Sequence, residues 1–223
     1  PAQGIWLSGF IGLLLAAIVL LVIVTYLCSG KDPFETKTFD KQKVQQVIAE
    51  FGGNEVSHLA FLRDKELYFY EIDAKPVVFF MYRIKTDKLI IMGEPVGNPT
   101  YFQAAVKDFI QKADLYDYQL VFYEINERFT MMLHEFGFDF IKTGEEGLVK
   151  LSDFTLQGKK RRAQRALMNK FDREGYEFSF IEPPFTTEQM QELKAVSDSW
   201  LGKQVEKGFS LGFFDEEYLN EAP

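Results

Sequence analysis

The densest concentration of chemistry-bearing side chains in this 223-residue chain is the run from Gly158 through Lys159, Lys160, Arg161 and Arg162 to Arg165, continued by Lys170 and Arg173. Between Lys159 and Glu174 stand seven basic and two acidic residues, a local charge of +5 in a chain of net charge −8. The spacing predicts a helix over Lys159–Glu174, with Ala163, Ala166, Leu167 and Phe171 as a buried stripe. Arg161 and Arg165 then point away from the stripe, and Arg162 and Arg173 flank it. Cations fixed on one helix suit a phosphate-rich partner, through charge-assisted hydrogen bonds and counterion release. The phosphates of RNA and of anionic lipid head groups are the two candidates. The alternative is a solvated face paired with neighbouring carboxylates.

A second cluster runs from Phe51 through Gly52, Gly53, Asn54, Glu55 and Val56 to Ser57 and His58. Two glycines followed by Asn54, Ser57 and His58 offer backbone amides and a titratable imidazole to a ligand, or simply stop a helix. Glu94 lies in the turn-rich segment Gly93–Pro99 directly after a strand-like run, where α/β proteins often place acid–base groups, or else in a plain loop with no catalytic role. Glu124 ends another such run and carries the same ambiguity, whereas His134 reads as structural. Several sites are excluded, since the chain has no G-x-x-x-x-G-K-[ST], G-x-G-x-x-G or H-E-x-x-H motif. It also lacks the [QR]-x-x-G-x-[GA] loop that cradles acetyl-CoA pyrophosphate in ordinary acetyltransferases. A single Cys excludes an internal disulfide framework and a Cys-rich zinc site. No metal and no cofactor is expected.

The elements that must position these groups differ sharply along the chain. Residues 1–30 carry no charge, and Ile5–Leu27 contains no Asp, Glu, Lys, Arg, His, Asn, Gln or Pro. As a helix that stretch is about 35 Å long and predicts a membrane span. Lys31, Lys37, Lys41 and Lys43 follow it and no basic residue precedes it, so the positive-inside rule places the rest in the cytoplasm. Cys28 at the membrane edge is a candidate for palmitoylation or a plain interfacial thiol. The chain opens on Pro1, not Met, which suggests a fragment.

Beyond a linker over 31–39, the pattern is α/β. Asp40 reads as the cap of a helix over Lys41–Phe51, with Val44, Val47, Ile48 and Phe51 inward and Gly52-Gly53 as its stop. Strands are predicted over Leu67–Ile72, Pro76–Lys85 and Lys88–Met92, separated by short polar breaks that imply an antiparallel meander. The loop Gly93–Pro99 leads to a helix over Tyr101–Asp114, a strand over Tyr118–Ile125 and a helix over Asn126–Phe136 ended by Gly137. Further strands are expected over Phe138–Lys142, Leu148–Leu151 and Tyr176–Ile181, and a helix over Thr187–Trp200 capped by Thr186 or Thr187. This order matches an acetyltransferase-like (GNAT) domain with a mostly antiparallel mixed sheet. The expected domains are a transmembrane helix (1–30), a linker (31–39), a first acetyltransferase-like domain (40–157), and a basic helix opening a second such unit (158–223).

Phe51-Gly-Gly-Asn54, Ser57-His58-Leu59, Gly93-Glu94-Pro95, Gly158-Lys-Lys-Arg-Arg162, Trp200-Leu-Gly202 and Glu206-Lys-Gly-Phe-Ser-Leu-Gly212 occur here in one order, after an apolar helix. In this the chain resembles the bacterial phosphatidylglycerol lysyltransferases, also called lysylphosphatidylglycerol synthases or the multiple peptide resistance factor family. The resemblance covers essentially the whole chain. It implies an integral protein of the bacterial cell membrane whose tandem acetyltransferase-like synthase faces the cytoplasm. That synthase moves lysine from lysyl-tRNA to phosphatidylglycerol in the bilayer, and the resulting lysylphosphatidylglycerol confers resistance to cationic antimicrobial peptides. It also implies that Lys159, Lys160, Arg161, Arg162 and Arg165 bind substrate phosphate. The catalytic residues are expected in a further C-terminal unit, so this segment alone is expected to be inactive. Two alternatives stay open: a FemX-like aminoacyl-tRNA-dependent peptidyltransferase, and a membrane-tethered module that binds anionic lipid or RNA without catalysis.

Overall fold

A computed structural model describes residues 2–28, Phe34 and 39–221. Two compact units emerge: residues 1–54 with 65–124, and residues 55–64 with 125–223. The expected linker, with Lys31 and Lys37, lies outside the described residues, Phe34 and Phe39 excepted.

In the first unit, helix α1 spans Ala2–Cys28. Twenty-seven residues make about 40 Å of helix. Its described side chains, among them Phe10, Leu14, Ile18 and Ile23, are exposed. Those described without a break cover residues 9–24, about 24 Å. Taken over the described residues, no helix is long and apolar enough to cross a membrane.

Helix α2 spans Lys41–Phe51, capped as the sequence predicts: Asp40 accepts from Lys43 N, and Gly52, at φ 85°, ends it. Val44 and Val47 are fully buried. Strands β1 (Glu66–Ile72) and β2 (Lys75–Lys85) form an antiparallel hairpin. Its turn residues Asp73 and Ala74 both have positive φ, the backbone twist that closes a two-residue hairpin. β2 pairs antiparallel with β3 (Lys88–Gly97), and β3 pairs parallel with β4 (Gln119–Tyr123). Helix α3 (Phe102–Leu115) connects these last two strands. The sheet order is β1-β2-β3-β4, a mixed α/β arrangement in which two of three pairings are antiparallel.

Side-chain alternation sorts the two faces of the sheet. Tyr68, Phe80 and Tyr82 meet Phe109 of α3, with ring centroids 4.6, 5.0 and 5.6 Å away. Phe69 and Phe79 turn to the other face, where Lys43 of α2 lies over the Phe69 ring. α2 and α3 therefore cover opposite sides of the sheet.

One expectation needs correction in this unit. Gly93–Gly97 is not a loop: β3 continues through it with a bulge, and pairing shifts between Met81↔Met92 and Phe79↔Val96. Glu94 is thus a strand residue, half-buried. Gly97 sits at φ 129°, and a Cβ there would come within 2.3 Å of Val77 O and 2.9 Å of Val47 Cγ1. Glycine is required because sheet and α2 close on this point. Phe34, within the expected linker, is fully buried.

The second unit is helical and irregular. A 3₁₀ turn, Ser57–Leu62, is buried through most of its length. Helix α4 (Glu127–Glu135) is capped by Asn126, which accepts from Phe129 N. Helices α5 (Arg162–Glu174), α6 (Thr187–Leu201) and α7 (Glu216–Glu221) follow. Thr186 caps α6 in a capping box with Gln189. The strands expected over Phe138–Lys142, Leu148–Leu151 and Tyr176–Ile181 do not form; a single 3₁₀ turn, Leu151–Asp153, interrupts otherwise irregular chain. Ile141, Leu148, Phe178 and Phe180 are exposed. Alternating apolar residues make a strand only where a neighbouring strand accepts their backbone hydrogen bonds, and none does here.

Candidate functional site

The basic segment begins at Gly158, whose φ of 85° opens a 3₁₀ turn, Lys159–Arg161, that runs directly into α5. Arg165 reaches back to this turn. Its Nη1 donates to Gly158 O at 2.8 Å and also to Leu156 O. The Arg161 guanidinium lies 4.9 Å from the Phe154 ring centroid. Both arginines therefore fold the preceding residues 154–158 onto the start of the helix and do not point freely outward, as their helical positions alone would have them do. The stripe expected to be buried is exposed as well: α5 has no buried residue, and Leu167 and Phe171 are open to solvent. Of the stripe, Phe171 meets the ring of Tyr176 just past the helix end, with centroids 5.0 Å apart, while Leu167 is half exposed.

Lys159, Lys160 and Arg162 are exposed. Among the described residues none of these three, nor Arg161 or Arg165, pairs with a carboxylate. No side chain caps the first turn of α5, and that turn holds no acidic residue. The partial positive charge of a helix start thus coincides with five cationic side chains. For the helix this is unfavourable by about 0.3–1 kcal/mol per misplaced charge. For an anion the two fields add, and since the N–H groups of Arg161 and Arg162 already donate to Gly158 O and Lys159 O, the cationic side chains supply the donors that phosphate oxygens accept.

The turn that carries Ser57 and His58 is organised by residues that the sequence gives no reason to single out. Arg63, at φ 55°, donates through both terminal nitrogens to Glu217, with Nη2–Oε1 at 2.5 Å, and to Glu221 at 3.0 Å. Asp64 Oδ2 accepts the N–H of Phe209 at 2.7 Å. The His58 ring lies 6.2 Å from the ring of Tyr218. Asp215 caps α7 through Tyr218 N, and Glu206 accepts from Phe214 N. Turn 57–64 is thereby tied to the segment 206–221. Burial disfavours the phenolate of Tyr218 and raises its pKa above the ordinary value. Arg63 and Asp64 escape sequence reading because their partners lie roughly 150 positions away, beyond any local pattern.

Ser57 is buried and His58 half-buried, both in the second unit. Asn54 and Glu94 belong to the first unit and are half-buried. Glu124 is exposed, at φ 59°. His134 is exposed, with its ring 6.5 Å from that of Phe140.

Residues 45–223 match the family described as phosphatidylglycerol lysyltransferase, C-terminal. A phosphatidylglycerol lysyltransferase of Staphylococcus haemolyticus is 37% identical over 210 residues, covering 94% of this chain and 25% of that protein. One from Staphylococcus epidermidis is 40% identical over 207 residues, covering 92% and 24%. The solved structure of L-PGS from Bacillus licheniformis superposes with a TM-score of 0.79 at 42% identity, covering 84% of this chain and 59% of that one. The chain thus spans about a quarter of the length of the curated relatives it matches.

Proposed function

The chain belongs to the phosphatidylglycerol lysyltransferase C-terminal family, and we propose that its full-length protein moves lysine from lysyl-tRNA to a glycerol hydroxyl of phosphatidylglycerol. The product, lysylphosphatidylglycerol, puts positive charge on the membrane surface and repels cationic antimicrobial peptides. The reaction exchanges one ester for another. A glycerol oxygen bonds to the lysyl carbonyl carbon, the ribose ester bond breaks, and the glycerol hydroxyl proton ends on the ribose oxygen. Reactant and product alcohols are similar, so catalysis consists of positioning, carbonyl polarisation and proton transfer.

The observation that carries this reading is the start of α5, uncapped and cationic with no carboxylate partner among the described residues. We assign Lys159, Lys160 and Arg162 to substrate phosphate, and Arg161 and Arg165 to holding the turn that presents them. Asn54, Ser57, His58 and Glu94 are assigned to polar walls of substrate pockets. The catalytic groups are placed in a second acetyltransferase-like unit of the full-length protein, following a first one over 40–157. α1 is read as a membrane span on its sequence, since Ile5–Leu27 carries no charged residue over more than the roughly 20 positions needed to cross a bilayer. Lys41 and Lys43 then lie on the cytoplasmic side of the bacterial cell membrane. A donor-swap assay tests the reading. Full-length protein in phosphatidylglycerol vesicles is expected to load lipid from lysyl-tRNA, and lipid loading from alanyl-tRNA alone would reassign the donor.

A further inference from the structure

Phe34 stands six residues beyond the end of α1 and six before the cap of α2, yet it is completely buried. Its ring is surrounded by Tyr82, Phe109, Tyr116, Tyr118 and Tyr68, with centroids at 5.6, 5.6, 5.7, 6.0 and 6.4 Å. Four of the five contacts are edge-to-face, the arrangement that aligns ring edges with ring faces. The neighbours come from β1, β2, α3 and the α3–β4 connection, so one side chain joins two strands of the sheet to the helix that covers them. Phe34 lies on the α3 face, whereas α2, which follows it, covers the opposite face.

We propose that Phe34 is the point at which the sheet unit is fastened to α1, a plug that sets how far the sheet stands from the membrane. This rests on the reading of α1 as a membrane span. Chain reach gives the consequence. Were Asp40 the first attachment, the twelve residues after Cys28 would allow the sheet to stand off by up to about 40 Å. Attachment at Phe34 leaves six residues and a limit of about 20 Å. A phenylalanine removes on the order of 200 Å² from water when fully buried, so the plug is strongly retained. Phe34 acts here as a positioning residue: it keeps the sheet unit at the bilayer surface, where a lipid acceptor must be met.

Two insertions that leave the plug intact test this. Spin labels at Val24→Cys on α1 and Gln111→Cys on α3, in full-length protein with Cys28→Ser and every other cysteine likewise replaced by serine, in phosphatidylglycerol vesicles, report the separation of α1 from the sheet. Ten Gly/Ser residues inserted after Gly30 are expected to lengthen the mean distance by on the order of 10 Å and broaden its distribution. The same insertion after Thr36 is expected to change neither. Equal shifts from both insertions, or no shift from either, would overturn the proposal. Phe34→Ala should broaden the distribution and Phe34→Leu largely restore it; an unchanged distribution in folded Phe34→Ala protein counts against the plug. Alkaline-carbonate extraction separates the two readings. Protein released from the vesicles contradicts the membrane span, whereas the insertion pair judges the fastening itself.

Discussion

Asp64 Oδ2 accepts the Phe209 N–H at 2.7 Å and lies where a Cβ on Gly208 would come within 2.6 Å of it. One carboxylate therefore holds a segment 145 positions away by a hydrogen bond and crowds the place of any side chain at Gly208. Phe209 holds a φ of 73°, unusual for an aromatic residue, and the bond to Asp64 helps to hold that conformation.

Asp64→Ala is expected to lower stability by about 1–2 kcal/mol, the ordinary cost of removing a charged acceptor from a part-buried amide. Gly208→Ala should cost a similar amount by displacing the carboxylate. Since both act on one hydrogen bond, the double variant should cost less than the sum by about 1 kcal/mol in a denaturant-unfolding cycle. Additive values would show that the two positions are independent.

Gly97→Ala should be among the most damaging single-methyl changes in the first unit, by about 3 kcal/mol or more, because it meets the Val77 carbonyl and takes up a disfavoured φ. Ala74→Gly should act in the other direction. Ala74 sits at φ 62° in an exposed hairpin turn, so glycine is expected to stabilise by about 0.5–1 kcal/mol. Thermal unfolding of the two variants checks both signs.

Tyr218 gives a pH signature. Burial raises its folded pKa above the ordinary 10.0. The stability it contributes is complete below pH 10 and is lost as pH rises through the higher folded value. Tyr218→Phe should therefore flatten the alkaline decline in stability while leaving neutral pH little changed, which unfolding midpoints from about pH 8 to about pH 11.5 will show.

The three outward cations and the two folded-back arginines should separate in solution. Lys159→Ala, Lys160→Ala and Arg162→Ala together are expected to reduce the salt dependence of tRNA binding by about one unit of slope for each cation removed from a phosphate. Folding should be unaffected. Arg165→Lys cannot reproduce the paired donation to Leu156 O and Gly158 O, so it should loosen the turn, seen as faster amide exchange at Gly158–Arg161.

Local chemistry is readable from sequence wherever it decides structure by itself. Asp40 and Gly52 bound α2, Asn126 and Thr186 cap their helices, and the break at Asp73-Ala74 marks a hairpin, because each satisfies or redirects its own backbone. What depends on distant partners is not readable. Gly93–Gly97 has the composition of a loop and becomes a strand because β2 is there to pair with it. Residues 176–181 have the alternation of a strand and remain irregular because no strand is beside them. Phe34 reads as part of a spacer since its five aromatic neighbours are spread from Tyr68 to Tyr118. In the candidate site, the charge of Lys159–Arg165 is legible, but the division of labour within it is not, because Arg165 is turned inward by carbonyl oxygens that no pattern announces.

The decisive measurement is lysine transfer by the full-length protein, with lysyl-tRNA varied at saturating phosphatidylglycerol in vesicles. Wild-type protein should form lipid-linked lysine. The Lys159/Lys160/Arg162→Ala variant should raise KM for lysyl-tRNA at least about tenfold while keeping kcat within about twofold, as expected when roughly two to three cations no longer meet the tRNA phosphates. No lipid-linked lysine from folded wild-type protein, or an unchanged KM in the variant, would contradict the assignment.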